Sequence, residues 1–321
     1  MKRLLFAMVT TALVLGGSAR GQIKLNPNQA AILRWYAANQ TTAFPVGNAP
    51  FSVAFDGTNL WVTKDLDQTV VKLRASDGAL LGTFPLLHPG RIAFDGVDIW
   101  IARATDDTVT KLRASDGATL GSFHVNAAEG VAFDGSNIWV SSYFDNTLTK
   151  LRASDGACLG QCTFAVGFAP VGVAFEGANI WVANYGTGTG NTVTKLRASD
   201  GACVGKCTFT VGNGPDELAF DGTNIWAANS ADNTITKLRA SDGTTLGTFP
   251  VGNGPAGIAF DGTNIWVANY GDGNGTTVTK LRASDGALLG TFVAGSGPFG
   301  VAFDGANIWV ANSGTNTVSK L

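Results

Sequence analysis

Charge, histidine and long apolar runs are all scarce in this chain, and each scarcity excludes something. Charged residues make up 14% of the 321 positions and the formal net charge is −2. Soluble domains usually carry ~25% charged residues. No basic stripe stands out, which argues against nucleic acid or an anionic membrane surface as a partner. Only two histidines, His88 and His124, are available for acid–base or metal chemistry. Beyond the first residues, no apolar run is long enough to cross a bilayer. No stretch repeats apolar residues at a spacing of about 3.6 over ten positions, so helices are disfavoured.

What the chain has instead is a repeat. The tetrapeptide AF[DE]G recurs with its Phe at Phe55, Phe94, Phe133, Phe175, Phe220, Phe260 and Phe303, at spacings of 39, 39, 42, 45, 40 and 43 residues. A period near forty points to a helical solenoid or to the blades of a propeller. The residue types decide between them. Each unit holds four short runs rich in Val, Ile, Thr, Phe and Trp, which suit a pleated surface. In the sixth unit they are GIAF (257–260), NIWVAN (264–269), TVTKLR and LLGTFV (288–293). Asp261-Gly262 and Asp285-Gly286 supply hairpin turns between them, since Gly takes positive φ freely and Asp bonds its own backbone. Seven such units predict an all-β fold, a seven-bladed β-propeller of four-stranded antiparallel blades. We label the strands A to D from the channel outward. The strand-B tryptophans at 61, 100, 139, 181, 226, 266 and 309 are expected to fill the space between blades.

The two ends of the chain fit together. Met1 to about Ala19 has basic residues, an apolar run and small residues in the order of a secretory signal peptide. We therefore expect a leader over 1–20, a single propeller domain over 21–321, and export to the periplasm or the outside. Ile32 to Val46 aligns without a gap on the KLRASDGALLGTFPV segment of the other units, whereas the last unit stops after its strand C at Lys320-Leu321. Residues near 40–46 should supply the missing outer strand of the seventh blade and close the ring, which removes free sheet edges.

Four cysteines occur as local pairs, Cys158 with Cys162 and Cys203 with Cys207, each accompanied by a two-residue insertion in strand D. Export makes two disulfides the first reading. Redox or metal use is the alternative, but neither pair has the two-residue spacing of such motifs. The repeated Ser-Asp of the RASDG turns is not a nucleophile constellation, because a residue present in every blade serves folding.

The motif PxGxAFDGxNIWVAN…NTVTKLRASDGxxLGTFxVG covers about residues 32–321. It resembles the units of bacterial YVTN and NHL-type propellers, and of the propeller family that contains streptogramin B (virginiamycin B) lyase. WD40 signatures are absent. The lyase resemblance implies a histidine base with metal-linked acidic groups near one mouth of the channel. His88, in the loop entering the second unit, is the candidate base, whereas His124 falls on an outer strand.

Comparing the units with one another locates a candidate site. The A–B and C–D turns hardly vary and share one face; the D–A and B–C loops vary and share the other, where binding groups usually sit. Four residues before the anchor stand Phe51, Gly90, Glu129, Val171, Asp216, Ala256 and Phe299. Three before it, Gly is the rule, broken by Ser52, Arg91 and Glu217; three after the Trp, Asn is the rule, broken by Lys64, Arg103 and Ser142. Lys64, Arg91 and Arg103 lie on the first two units, and Glu129, Asp216 and Glu217 on the third and fifth. The expectation is a mouth basic on one side and acidic on the other, with Phe51 and Phe299 as apolar contacts. The plain alternative is ordinary surface charge left by uneven divergence of copied units. The Gly-rich loops at 185–192 and 270–277 offer Asp272 and Asn274 as oxygen donors, but they lack a bidentate acid for calcium.

The reading that follows is an exported monomer that binds a small molecule, glycan or protein at this face, without chemistry and without a cofactor. Two alternatives stand beside it. One is a streptogramin-type carbon–oxygen lyase that uses His88 and a divalent metal. The other is a structural cell-surface repeat.

Overall fold

A computed structural model describes residues 42–321. The leader expected at 1–20 and the first part of the expected closing segment, 32–41, lie outside the described residues. Each repeat folds as one four-stranded antiparallel sheet, and seven sheets form the ring. In blade 6 the strands are Pro255–Phe260 (A), Asn264–Asn269 (B), Thr277–Arg282 (C) and Leu288–Val293 (D). Among the described residues the only helical elements are three short 3-10 turns: Ala104–Asp106, Gly186–Gly188 and Gly271–Gly273. No helix among them is long and apolar enough to cross a membrane.

Ring closure follows the expected pairing. Strand Ala43–Pro45 lies antiparallel on the last strand, with Ala43 opposite Ser319, Phe44 opposite Val318 and Pro45 opposite Thr317. It stands fourth in blade 7, so the chain begins and ends its ring in one sheet.

The repeat motif is legible as a set of contacts between one blade and the next. Trp61 is fully buried and packs with Ile99, Ile101 and Leu112 of blade 2. Phe84 of its own strand D stacks on it at 5.3 Å between centroids. All seven strand-B tryptophans carry such a phenylalanine, and in blade 7 it is Phe44 from the closing strand, at 5.4 Å from Trp309. The repeated Lys of strand C spans the same seam. Lys72 Nζ sits 5.1 Å from the Trp61 ring centroid and donates to the Ala114 carbonyl of blade 2 at 2.6 Å. Gly117, in the RASDG turn that follows, has φ +75°, and a Cβ there would collide with the Phe84 ring. Lys, Trp, Phe and Gly are thus repeated because each blade's motif is completed by its neighbour. The Arg and Asp of the turn pair on the surface, as Arg74 does with Asp77 at 2.9 Å, and such exposed pairs add little stability.

The AFDG turn has a second repeated device. In blade 1, Asp56 Oδ1 accepts from the backbone N–H groups of Thr58 and Asn59, and its Oδ2 accepts the indole N–H of Trp61 at 2.8 Å. Against the cost of burial, these bonds hold the carboxyl below its usual pKa. Six blades make this indole bond. Blade 4 carries Glu176 in place of Asp. Its carboxylate turns to the Asn179 amide, and the buried Trp181 indole N–H has no partner among the described residues.

The cysteines pair as expected, Cys158 with Cys162 and Cys203 with Cys207, both with Cα atoms 5.6 Å apart. Their insertions shorten the outer strands of blades 3 and 4 to Thr163–Ala165 and Thr208–Thr210. Paired cysteines are compatible with an oxidising compartment.

Candidate functional site: the top-face bowl

The two variable positions before each Phe anchor have a structural meaning. In six blades the pairing of strand A with strand B slips by one residue between the opening Pro or Ala and the core; in blade 1, Pro50 opposes Lys64 but Val53 opposes Val62. The two residues between form a β-bulge, a device that re-aims side chains at the rims of sheets. Here the bulges ring the top of the channel. The second bulge residue is usually Gly because the next blade's strand A passes close by. A Cβ at Gly257 would strike the Phe299 carbonyl, and one at Gly130 the Val171 carbonyl. Glu217 occupies this position in blade 5, and Arg91 is its sequence counterpart in blade 2, whose strand A is shortened to Ile92–Phe94 and pairs without a slip; both side chains turn toward the channel.

Arg91 reaches across the ring. Its Nε donates to Glu217 Oε2 at 3.0 Å, one terminal nitrogen donates to Glu129 Oε2 at 3.3 Å, and the other bonds Asp216 Oδ1. Phe51 and Phe299 stack on each other with centroids 4.2 Å apart, and the Arg91 guanidinium carbon lies 5.9 Å and 5.6 Å from their rings. Six of the eight sequence-predicted residues therefore meet in one cluster drawn from five blades. The charges do not divide the mouth into a basic and an acidic side, because the long Arg91 side chain carries the basic group to the acids. Arg91 is only 7% exposed. Burial works against its charge, but Asp216, Glu217 and Glu129 outweigh burial and raise its pKa above that of a free guanidinium. Burial pushes the carboxyls of Glu129 and Glu217 up, with Arg91 pulling against it.

Lys64 and Arg103 lie elsewhere. Lys64 Nζ bonds Asp67 at 2.8 Å within its own blade. Arg103 donates to the Leu87 carbonyl at 2.7 Å and to Thr108 and Thr110, and pairs with Asp106. It ties a D–A loop to strand C, as the repeated Asn does. Asn269 accepts from Gly252 N–H and donates to Thr277 and Thr279. His88 Nδ1 stands 3.2 Å from Asp106 Oδ1, in the loops of blade 2. His124 is on the exposed outer strand Thr119–His124.

Above the cluster opens a bowl of about 730 Å³, and below it lies a cavity of about 140 Å³. Arg91 and Phe299 line both, so their layer is the partition. The bowl's walls hold a feature that the sequence comparison missed. Tyr143, Tyr185 and Tyr270 all face it. Each stands four residues after its blade's Trp, where the other blades carry Asp65, Ala104, Ser230 and Ser313. Three of the chain's four tyrosines at one repeat position was the available signal. Tyr270 meets Phe299 edge-on at 5.2 Å. Burial, then the charge of Glu129, raises the Tyr143 pKa; burial, then Asp216, raises that of Tyr185. Their hydroxyls stay protonated beside carboxylates.

Solved structures with this architecture include a catalytically inactive virginiamycin B lyase from Staphylococcus aureus with quinupristin, at 16% identity and TM-score 0.71, covering 87% of this chain and 98% of that one. A streptogramin B lyase matches at 16% identity and TM-score 0.69, over 87% and 95% of the two chains. Hydrazine synthase from Kuenenia stuttgartiensis matches at 16% identity and TM-score 0.74, over 95% and 99%. This chain shares their fold. No protein-family model and no curated protein matches the sequence. A ring found under both a lyase and a synthase leaves activity to the site.

Proposed function

We propose that the chain is an exported binding propeller that holds a small-molecule or short glycan ligand in the top-face bowl, without chemistry. One observation carries this reading: the residues that break the repeat converge on one concave site. Glu129, Asp216 and Phe299 come from the variable bulges, Arg91 from the segment just before strand A of blade 2, and three tyrosines from the variable B–C loops. A volume of about 730 Å³ lies within the ~300–1,000 Å³ of small-ligand pockets. The exported location rests on the leader and the cystines. The lyase alternative, through His88, gains nothing from the geometry, since His88 pairs with Asp106 and is not among the bowl's lining residues.

The test is to purify the protein without denaturation, then identify the small molecules released on unfolding by mass spectrometry. The wild type should retain a compound that a Tyr185→Ala, Tyr270→Ala double variant of equal thermal stability loses. Equal retention by both proteins, or none by either, refutes the reading.

A further inference from the structure

The bowl's lining has an imbalance that the binding reading leaves unused. Among the described residues Arg91 is the single cationic side chain in the lining, and it is paired with three carboxylates. Of the three carboxylates that line the bowl, Glu129 and Asp216 each bond Arg91 through one oxygen. The second oxygens, Glu129 Oε1 and Asp216 Oδ2, have no donor among the described residues. Asp272 adds a third carboxylate at the rim. The rings of Tyr143, Tyr185 and Tyr270 line the bowl beside these acids, as does Phe299, which is stacked on Phe51. Lys64 and Arg103, the other basic groups of the top face singled out by the repeat comparison, are spent on their own blades. An anionic ligand would thus meet excess negative charge and no uncommitted cation.

We infer that the bowl takes a small organic cation, an amine or quaternary ammonium compound. Its ammonium group sits among the tyrosine rings and above the free oxygens of Glu129 and Asp216. This rests on the binding reading above and adds the ligand's class. Aromatic rings attract such a cation through their quadrupole, and desolvation in a concave site strengthens the attraction. The two oxygens supply the countercharge, and for a primary amine they also accept its N–H groups. The aromatic walls favour an organic ammonium over a hydrated metal ion, which needs a shell of oxygen ligands. The body of the ligand has room, since one ammonium group fills only a fraction of about 730 Å³.

The experiment is isothermal titration of the full chain with four probes. Choline and phenethylamine are the cations. The neutral probe is 3,3-dimethylbutan-1-ol, the isostere of choline, and benzoate is the anion. At least one cation should bind, and choline should exceed its isostere by ~10-fold or more. Added salt should weaken cation binding. Glu129→Gln, a conservative change at a carboxylate with 30% of its side chain exposed, should weaken it by ~10-fold. Tyr185→Ala should weaken it by ~3- to 30-fold, while Tyr185→Phe keeps the ring and changes it by less than ~2-fold. Thermal melts of each variant separate loss of binding from loss of fold.

Equal binding of choline and its isostere overturns the inference. So does no binding of either cation at millimolar concentration. Benzoate or the neutral alcohol binding in place of the cations, and lost in Tyr185→Ala, would remove the cation while leaving the bowl a binding site. A panel silent throughout, with nothing retained in native preparations, removes both.

Discussion

Glu176→Asp is expected to make the protein more stable, although it deletes a methylene and touches no other blade. In six blades an aspartate accepts the indole N–H at 2.6–2.8 Å. In blade 4 the longer Glu176 side chain carries the carboxylate past that point to Asn179, and the Trp181 N–H is left without a partner in a fully buried ring. Leaving a buried donor unsatisfied costs ~1–3 kcal/mol. The two backbone N–H groups of the turn, at Ala178 and Asn179, would also regain the acceptor that Thr58 and Asn59 have in blade 1. They are near solvent and should add little. We therefore expect a gain of ~1–2 kcal/mol, which for a domain of this size raises Tm by about 2–8 °C. The assay is a thermal or urea melt, with Asp221→Glu as the mirror control, which should lose a similar amount. An unchanged or lowered Tm for Glu176→Asp, with the control destabilised, would show that the missing indole bond is not what distinguishes blade 4.

Two further outcomes test the central cluster and the cystines. Arg91→Met leaves three carboxylates without their cation and should cost ~3–5 kcal/mol at neutral pH. The sign of its pH dependence follows from the raised pKa of Glu129 and Glu217: stability from a carboxyl of this kind is fully present below the ordinary value of 4.5 and is lost as pH rises through its folded value. Removing Arg91 raises those folded values further, so the variant's Tm deficit should narrow as pH falls from 7 toward 4.5; a deficit that widens would contradict the assignment. Replacing Cys158 and Cys162 together by Ser should lower stability by at most ~2 kcal/mol, because so short a loop restricts the unfolded chain only slightly. The comparison is the melt of oxidised wild type against variant, and a larger loss would mean that the cystine holds more than its own loop.

Most of the architecture could be read from internal repetition. The Phe anchors, the Asp-Gly turns and the strand-B Trp defined the blades, and the gapless match of Ile32 to Val46 with an outer strand located the closure. Part of the site was legible in the same way, since Arg91, Glu129, Asp216, Glu217, Phe51 and Phe299 stood out by differing from their counterparts. Their convergence was not. Unit comparison shows which residues vary, but it does not show how far a side chain travels from its bulge, and Arg91 crosses the channel. Lys64 and Arg103 broke the pattern equally and turn out to stitch loops locally, as Asn269 does. Tyr185 and Tyr270 open Gly-rich loops that were weighed only for calcium, and Tyr143 opens a loop without glycine, so the shared position of the three went unread; Gly271 and Gly273 supply the positive φ that shapes the turn after Tyr270.

The shared sheet at the two chain ends also constrains how the molecule can come together in time. The first residues of the ring bond partners 267 residues later, as Ala49 N–H does with Asn316. Six blades can form as soon as their own forty-odd residues exist, but the seventh waits for the final strand. Lengthening a closed loop from one blade to the whole ring adds only ~2 kcal/mol of chain entropy, so the delay is one of order and not of energy. Until that last strand arrives, the ring is an open arc, and it can close only once Thr317–Lys320 is there to pair with Ala43–Pro45.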